Sequence, residues 1–177
     1  MKKFELTNEF VTNSYGAKLF RIKALITLPS VKAGELGGYI EKEGNLSQYG
    51  NAWIYGNAWV SDDARVSDDA RVSGNALVCG DAQISGDAWV SDDARVSGNA
   101  LVCGNEDYAY AHGFGSRNRT TTFFRLRDGG VGVRCGCFYG TLAQFRDKVR
   151  ETHKETKKAQ EYLMLADLME FRFKKTF

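Results

Sequence analysis

The chain has 177 residues, of which 43% are hydrophobic and 12% are aromatic, and its formal net charge at pH 7 is only +2. This composition is typical of a compact chain that forms one domain, or a stem with an appended unit. No apolar run approaches the roughly 18 residues of a transmembrane helix, and the start MKKFELTNEF lacks the apolar stretch of a signal peptide. We therefore expect a cytoplasmic protein that has no membrane partner.

The first 44 residues are predicted to form an N-terminal cap. Extended stretches at residues 3–6 and 18–28 flank the turn-forming sequence Asn-Ser-Tyr-Gly at residues 13–16, a pattern that predicts a β-hairpin. A lead-in segment follows, in which Gly37 allows a sharp change of direction. Its predicted irregular anchors are Tyr39, Ile40 and Leu46.

A strict six-residue period runs from Asn51 to Gly104. Each of its nine units reads Asn or Asp, Ala, any residue, Val or Ile, usually a small residue, and Gly or Asp. A period of this kind is typical of a parallel β-helix, in which each unit supplies one short strand and one corner. The predicted inward anchors are Ile54, Val60, Val66, Val72, Val78, Ile84, Val90, Val96 and Val102.

Both halves of each unit have a physical reason. Alternate strand residues share a face, so the Ala two residues before each anchor also points inward, where a tight corner has room only for a methyl group. The pair before each Ala is drawn from Gly, Asn and Asp, which enter the left-handed backbone region most readily. These pairs are predicted to be the corners.

The units resemble the hexapeptide repeats of left-handed β-helix proteins, in which three units form one triangular coil. The lead-in sequence VKAGELGGYI and the later segment CGCFYGT, with the amphipathic helices predicted after it, are similar to those of hexapeptide proteins found in bacteria, phages and prophages. The resemblance implies a left-handed β-helix over residues 45–110 and a relationship in fold to the hexapeptide acyltransferases.

On this reading, the outward residues between each Ala and its anchor stack in three columns. The columns are Trp53, Arg71 and Trp89, then Trp59, Leu77 and Arg95, then Arg65, Gln83 and Leu101. Trp, Leu and Arg suit interface centres, and tryptophans beside an arginine favour cation–π contact. We expect these columns to be buried in a homotrimer interface. Binding of a ligand or of another partner to the columns is the alternative. The predicted interface residues of the homotrimer are Trp53, Trp59, Arg71, Leu77, Trp89 and Leu101.

Residues 111–177 are predicted to form a separate C-terminal unit, joined to the stem by an aromatic, Gly-rich connector. Residues 120–126 and 131–138 alternate around Arg-Asp-Gly-Gly and predict a β-hairpin. A capping box of Thr141 and Gln144 predicts a helix to about residue 153. A second helix at residues 156–173 has a wide apolar face, which must pack against the hairpin, the stem or a neighbouring chain.

Enzymatic function is one alternative. The resemblance implies that an acyl-CoA-dependent acyltransferase would use a histidine as its general base, yet no repeat unit contains a histidine. His112, in the connector, is the one weak catalytic candidate. Cys135 and Cys137 form C-x-C without a second ligand pair, so no metal site and no cofactor are expected.

Charge is distributed unevenly. Residues 51–104 carry 3 basic and 8 acidic side chains, whereas residues 117–177 carry 14 and 7. A basic unit after an acidic stem can steer an anionic partner, and basic and aromatic residues interleaved on a strand suit a phosphate-bearing ligand, such as a nucleotide, or a protein. Salt bridges, or contacts with the acidic stem, are the alternative. The candidate binding residues are Arg117, Arg119, Phe123, Arg125 and Arg127.

The sequence therefore predicts a mainly β protein, with a left-handed parallel β-helix stem, an N-terminal hairpin cap, and a C-terminal β-hairpin with two helices. We expect a non-enzymatic, oligomeric binding or scaffold protein of phage or prophage type, located in the host cytoplasm if a phage encodes it. The resemblance suggests a counter-defence role, in which the protein binds a host effector or a signalling nucleotide. Acyl transfer is the alternative.

Overall fold

The computed structural model describes residues 1–115 and 117–174, so residues 116 and 175–177 of the predicted C-terminal unit lie outside the described residues. The described chain is mainly β. A parallel β-helix of about four turns has an N-terminal hairpin at one end and a four-stranded antiparallel sheet with two helices at the other. The predicted fold class is confirmed, and the left-handed sense of the coil stays a prediction.

The N-terminal hairpin consists of β1 (Phe4–Thr12) and β2 (Lys18–Ala24), which pair antiparallel. The side-chain oxygen of Asn13 accepts hydrogen bonds from the N–H groups of Tyr15 and Ala17, at 3.0 and 2.9 Å, which fixes the predicted turn. β1 is longer than the predicted strand at residues 3–6, because residues 10–12 also pair with β2. β2 continues antiparallel to β3 (Leu36–Ile40), which joins the first turn of the stem.

The stem is built from nine two-residue strands within residues 51–104, all of which are described. Outward residues pair across 18 positions, as in Trp53 with Arg71 and Arg71 with Trp89, so three units make each turn as predicted. The strands are β4 (Trp53–Ile54), β5 (Trp59–Val60), β6 (Arg65–Val66), β7 (Arg71–Val72), β8 (Leu77–Val78), β9 (Gln83–Ile84), β10 (Trp89–Val90), β11 (Arg95–Val96) and β12 (Leu101–Val102).

The first turn is wider than the others. Tyr39 pairs with Trp59 and Leu46 with Val66, both across 20 positions, because two extra residues enter the corner between Leu46 and the first regular unit. Ile40 and Leu46 are nonetheless buried in line with the regular anchors, which confirms them as irregular ones. The N-terminal cap and the stem therefore share one continuous core.

The corners adopt the predicted left-handed backbone. From Gly56 to Gly98, the first residue of each corner pair has a φ between 56° and 68°, whether it is Gly or Asp. Aspartate compensates for the less favourable conformation with a hydrogen bond: Asp62 Oδ2 accepts from the N–H of Gly80 at 2.9 Å, one turn further along. The anchors and the Ala residues fill the interior, where each is at most 1% exposed.

The C-terminal sheet differs from the prediction in two places. The connector forms a strand, β13 (Tyr108–Phe114), because it pairs antiparallel with β14 (Arg119–Arg125). The predicted strand at residues 131–138 is two strands, β15 (Val131–Cys135) and β16 (Phe138–Thr141), since Gly136 makes a turn with a φ of 59°. The sheet has the order β13-β14-β15-β16.

Both helices are confirmed. Helix α1 (Leu142–His153) opens with the predicted capping box, in which Thr141 Oγ1 accepts from the N–H of Gln144 and Gln144 Oε1 accepts from the N–H of Thr141. Helix α2 (Lys157–Phe173) begins after Thr156, which caps it. None of the described helices is both long and apolar enough to cross a membrane.

Strand β14 separates two cores. Phe124 and Leu126 join the core of the stem and close its last turn, whereas Phe123 points to the other side, where it packs with α1 and α2. A single strand therefore closes the solenoid with one face and supports the helices with the other. This arrangement places the first residues of β14 beside the outer surface of the last coil.

Candidate ligand site between the stem and the C-terminal sheet

The C-terminal sheet is joined to the stem by specific hydrogen bonds. The backbone N–H of Arg95 in β11 donates to Thr122 Oγ1 of β14 at 2.9 Å, and the N–H of Arg127 donates to the carbonyl of Asn99 at 3.2 Å. The Tyr110 hydroxyl donates to the Asp92 carboxylate, and this hydrogen bond, with a smaller effect of burial, raises the pKa of Tyr110. The two parts of the molecule therefore meet at a defined seam.

A polar cavity of about 400 Å³, here called the junction cavity, opens at this seam. The stem contributes residues of two successive turns, and the C-terminal sheet contributes the ends of β13 and β14 and the turn before β16. Its lining residues are Asn75, Asp93, Arg95, His112, Asn118, Arg119, Thr120 and Gly136. The volume is within the usual range for small-molecule sites.

The charges of the junction cavity are incompletely balanced. Arg95 and Arg119 supply two guanidinium groups, and Asp93 supplies the one carboxylate of its lining. Among residues 1–115 and 117–174, neither arginine has a carboxylate within 4.0 Å. Asp93 Oδ1 instead accepts a hydrogen bond from Asn75 Nδ2, at 3.2 Å. The cavity therefore offers two cationic hydrogen-bond donors to an anion.

The histidine of the cavity is held by a hydroxyl group. His112 Nδ1 lies 2.9 Å from Thr120 Oγ1, where the pairing of β13 with β14 shifts register between Ala111 and Phe114. In the described part of the chain, no carboxylate lies within salt-bridge distance of His112. A histidine base is usually oriented by a third group, and here that position is taken by a neutral threonine.

A third arginine adds positive charge near the seam. Burial raises the pKa of the Cys79 thiol and the Asp62 carboxylate adds to this effect, whereas the cations of Arg134 and Arg95 oppose it. Arg134 and Arg95 are therefore both close enough to Cys79 to act on it. Because Arg95 also lines the junction cavity, Arg134 is a further cation in the neighbourhood of that cavity.

The structure separates the five residues that were predicted to bind a ligand. Arg119 lines the junction cavity, and Arg117 is exposed in the neighbouring turn. Phe123 is fully buried between the sheet and the helices, so no part of it is open to a ligand. Arg125 Nε donates to Asp107 Oδ1 at 2.8 Å, and Arg127 donates to the carbonyl of Asp81 at 2.6 Å. These two arginines therefore contact the stem, which was the predicted alternative to ligand binding.

The predicted columns of outward residues exist, but their exposure is uneven. Trp53 is only 1% exposed because the N-terminal cap covers it, with Phe4 packed edge-on against its ring. Trp89, in the same column, is 51% exposed, and its indole Nε1 donates to Ser73 Oγ at 2.9 Å. Arg71 is exposed between them, and the other predicted interface residues, Trp59, Leu77 and Leu101, are half-buried.

Sequence reasoning missed the stem half of the junction cavity. Arg95 was placed in an outward column, but nothing local to it indicates that Arg119 lies nearby. The same is true of Asn75, a corner residue like many others. The weak candidate His112 does lie in the cavity. Alternation of Tyr108, Tyr110 and His112 was the available signal that this segment is a strand with one face towards the stem.

A larger groove on the stem is less suited to a charged ligand. It has a volume of about 750 Å³ and lies along the column of Arg65 and Gln83. Its cations and carboxylates are equal in number, and Lys42 is paired with Asp63 at 2.6 Å. The junction cavity is smaller, but it has the excess of free cationic donors that the groove lacks.

Comparison with known proteins agrees with the fold. Residues 64–80 match the family model of the YdcK beta-solenoid repeat. These residues span β6 to β8, at the centre of the regular stem, so the match supports the β-solenoid. Of the residues that line the junction cavity, the match includes Asn75 alone. No curated protein matches the chain significantly.

Proposed function

We propose that the protein is a non-enzymatic binding protein that holds a small phosphate-bearing molecule in the junction cavity. The observation that carries the proposal is the meeting of Arg95 and Arg119, from two distant parts of the chain, without a carboxylate partner for either among the described residues. Guanidinium groups match phosphate oxygens in geometry and bind them with charge-assisted hydrogen bonds. Arg95 from the stem and Arg119 from the C-terminal sheet would both donate hydrogen bonds to one phosphate group.

The rest of the lining suits the remainder of such a ligand. Asn75, Asn118 and Thr120 offer neutral donors and acceptors of the kind that hydrogen-bond to a sugar or a base. The ring of His112 adds a flat surface and a further polar atom. Asp93 offsets the charge of one of the two arginines, which favours a ligand of low charge over a long polyanion.

The stem is the scaffold in this proposal, and the exposed part of its columns supports self-association. Arg71 and Trp89 remain open for a partner, although Trp53 does not. We keep the homotrimer as the proposed state, with a contact centred on Trp89. Light scattering on the wild type and on Trp89→Ala tests it: the wild type should have three times the mass of Trp89→Ala, and a monomeric wild type at micromolar concentration would contradict the trimer.

The resemblance to phage and prophage hexapeptide proteins supports a biological setting for this proposal. A small cytoplasmic phage protein that binds a nucleotide without transforming it would remove that nucleotide from a host signalling pathway. Counter-defence by sequestration is therefore the form of the predicted function that the junction cavity favours. Direct inhibition of a host effector by contact would require a surface other than this cavity.

Acyl transfer is a second candidate because His112 lies inside the same cavity. A general base must be within hydrogen-bond reach of the acceptor that it deprotonates, and it works best when a neighbouring group orients it. Thr120 holds the ring of His112 but cannot stabilise the charge that forms on it. The cavity therefore supports binding better than base catalysis.

A thermal-shift screen separates these candidates, since any ligand that binds only the folded state raises Tm. The probes are AMP, a cyclic dinucleotide, a short single-stranded RNA and acetyl-CoA. We expect a nucleotide to raise Tm in the wild type and not in Arg119→Gln. The matched control is Arg117→Gln, an exposed arginine two residues away that does not line the cavity, and it should respond like the wild type.

Two results of the screen would contradict the proposal. Stabilisation by acetyl-CoA alone, lost in His112→Ala, would favour the acyltransferase. Equal nucleotide stabilisation of the wild type and of Arg119→Gln would place the ligand elsewhere on the molecule.

A further inference from the structure

Helix α2 has apolar side chains on two opposite sides. One side faces the C-terminal core, with Ala159, Tyr162, Ala166, Met169 and Phe173 buried against the sheet and α1. The other side carries Met164, Leu168 and Phe171, which are 71%, 55% and 77% exposed. These three residues, here called the α2 stripe, follow one another at i, i+4 and i+7, and therefore form one line along the helix surface.

Single exposed apolar residues are common on protein surfaces, but an aligned set is not. Three large neighbouring side chains form a contiguous apolar patch, and patches of this kind typically mark interaction sites. A line at i, i+4 and i+7 is also the pattern by which an amphipathic helix contacts another helix. None of the described segments of the chain covers the α2 stripe, since its members keep more than half of their surface.

The nearest charges at the two ends of the α2 stripe are opposite, and Lys157 lies one further turn beyond the acidic one. Glu161 stands one turn before Met164, and Lys174 stands one turn after Phe171. In the described part of the chain neither is in a salt bridge, whereas Asp167 and Glu170, on the flank, both pair with Arg146 of α1. A second α2 stripe that runs antiparallel would place Glu161 of each copy near Lys174 of the other. A parallel copy would oppose like charges.

We propose that the α2 stripe is a contact surface for a second copy of this chain, with the two α2 helices antiparallel and crossing at Leu168. A two-fold contact is self-complementary, so the same patch serves both copies. The antiparallel arrangement also opposes the two helix dipoles favourably. An anionic membrane surface fits less well, because the patch has an acidic as well as a basic end. The contact is independent of the junction cavity and of the proposed stem trimer.

The test is the mass in solution of Leu168→Glu, measured by sedimentation equilibrium against the wild type at the same concentration. This change places two carboxylates face to face at the crossing point. We expect the wild type to have twice the mass of Leu168→Glu, or more, whatever the stem contributes to assembly. The matched control is Leu36→Glu, because Leu36 is 50% exposed but distant from α2, and it should keep the wild-type mass. Circular dichroism verifies that both variants are folded.

An equal mass of Leu168→Glu and the wild type would overturn the proposal. Co-sedimentation with vesicles of phosphatidylserine and phosphatidylcholine adds a second arm. Vesicle binding that Leu168→Glu abolishes, without any change of mass in solution, would assign the α2 stripe to a membrane and not to a second copy.

Cysteine cross-linking tests the orientation. In a background of Cys103→Ser and Cys137→Ser, which removes the two exposed thiols, Glu161→Cys and Lys174→Cys are prepared separately and then mixed under mild oxidation. The antiparallel contact predicts a disulfide between the two different variants. Disulfides that form only within each single variant would indicate a parallel contact and would overturn the proposed geometry.

Discussion

The backbone N–H of Arg95 donates a 2.9 Å hydrogen bond to the hydroxyl group of Thr122, which is part of a strand that begins 24 residues further along the chain. This bond joins the last turn of the stem to the C-terminal sheet. It also fixes the backbone from which the Arg95 side chain enters the junction cavity. The architecture and the proposed site therefore depend on the same contact.

Thr122→Val should lower the free energy of unfolding by about 1–2 kcal/mol, because the part-buried N–H of Arg95 loses its acceptor while the shape of the side chain is kept. Thr122→Ser, which keeps the hydroxyl group, is the control and should lose less. Urea denaturation measures both. A Thr122→Val protein as stable as the wild type would show that the bond does not hold the seam together.

Asp68 offers a test of the corner conformation. Its φ is 59° and its Oδ2 accepts from the N–H of Gly86, at 3.1 Å. Asp68→Ala keeps the unfavourable backbone without the hydrogen bond and should lower the free energy of unfolding by about 1–2 kcal/mol. Asp68→Asn should be nearly neutral, and Asp87→Ala, at the exposed second position of another corner, should change stability by less than about 0.5 kcal/mol.

Sequence periodicity was sufficient to predict the stem. Anchors such as Val72 repeat every six residues and every one of them is buried, so local pattern and global packing agree. The capping box of Thr141 and Gln144 was equally visible, because its partners are three residues apart. Contacts between residues so close in the chain can be predicted from the sequence pattern.

The candidate site was predictable only in part because it depends on long-range contacts. Phe123 and Phe124 are adjacent aromatics, and both faces of β14 are covered, so the sequence does not show which one faces the helices. Arg125 and Arg119 are alike in sequence, but only the register of β14 brings Arg125 to Asp107 and leaves Arg119 in the cavity. Arg95 lies next to the C-terminal sheet only because of the tertiary structure, which no local sequence pattern shows.

Arg125 is expected to stabilise the fold and not to bind the ligand. Its ion pair with Asp107 is largely buried, and its guanidinium also lies over the ring of Phe173. Arg125→Met leaves the Asp107 carboxylate without its partner and should lower the free energy of unfolding by about 2–3 kcal/mol. Nucleotide affinity should not change. Arg117→Met is the exposed control, and a loss of affinity in Arg125→Met without a loss of stability would reverse this assignment.

The buried side chain of Lys3 makes the free energy of unfolding depend on pH in the alkaline range. Lys3 Nζ donates to the carbonyl of Ala52 at 2.9 Å, and burial lowers its pKa from 10.5 to about 8. Between pH 8 and 10.5, the unfolded chain therefore binds a proton that the folded chain has released, so the contribution of Lys3 to stability rises with pH. The neutral amine can still donate to Ala52.

Comparison with Lys3→Met isolates this effect from other groups that titrate at high pH. The free energy of unfolding of the wild type, relative to that of Lys3→Met, should increase between pH 7 and pH 10. Denaturation at both pH values measures it. A difference that is the same at the two pH values would show that the ammonium group is well solvated in the folded protein.

Calorimetric titration measures whether Arg95 and Arg119 together bind a phosphate group. The titrant is the nucleotide that raises Tm most, and the proteins are the wild type and the double variant Arg95→Gln/Arg119→Gln, which keeps the backbone bond to Thr122. Hydrogen bonds to charged groups contribute about 1.5–3 kcal/mol each, so we predict a Kd at least about 100-fold higher for the double variant. An unchanged Kd, or no binding of any nucleotide to the wild type, would show that Arg95 and Arg119 do not form a phosphate site.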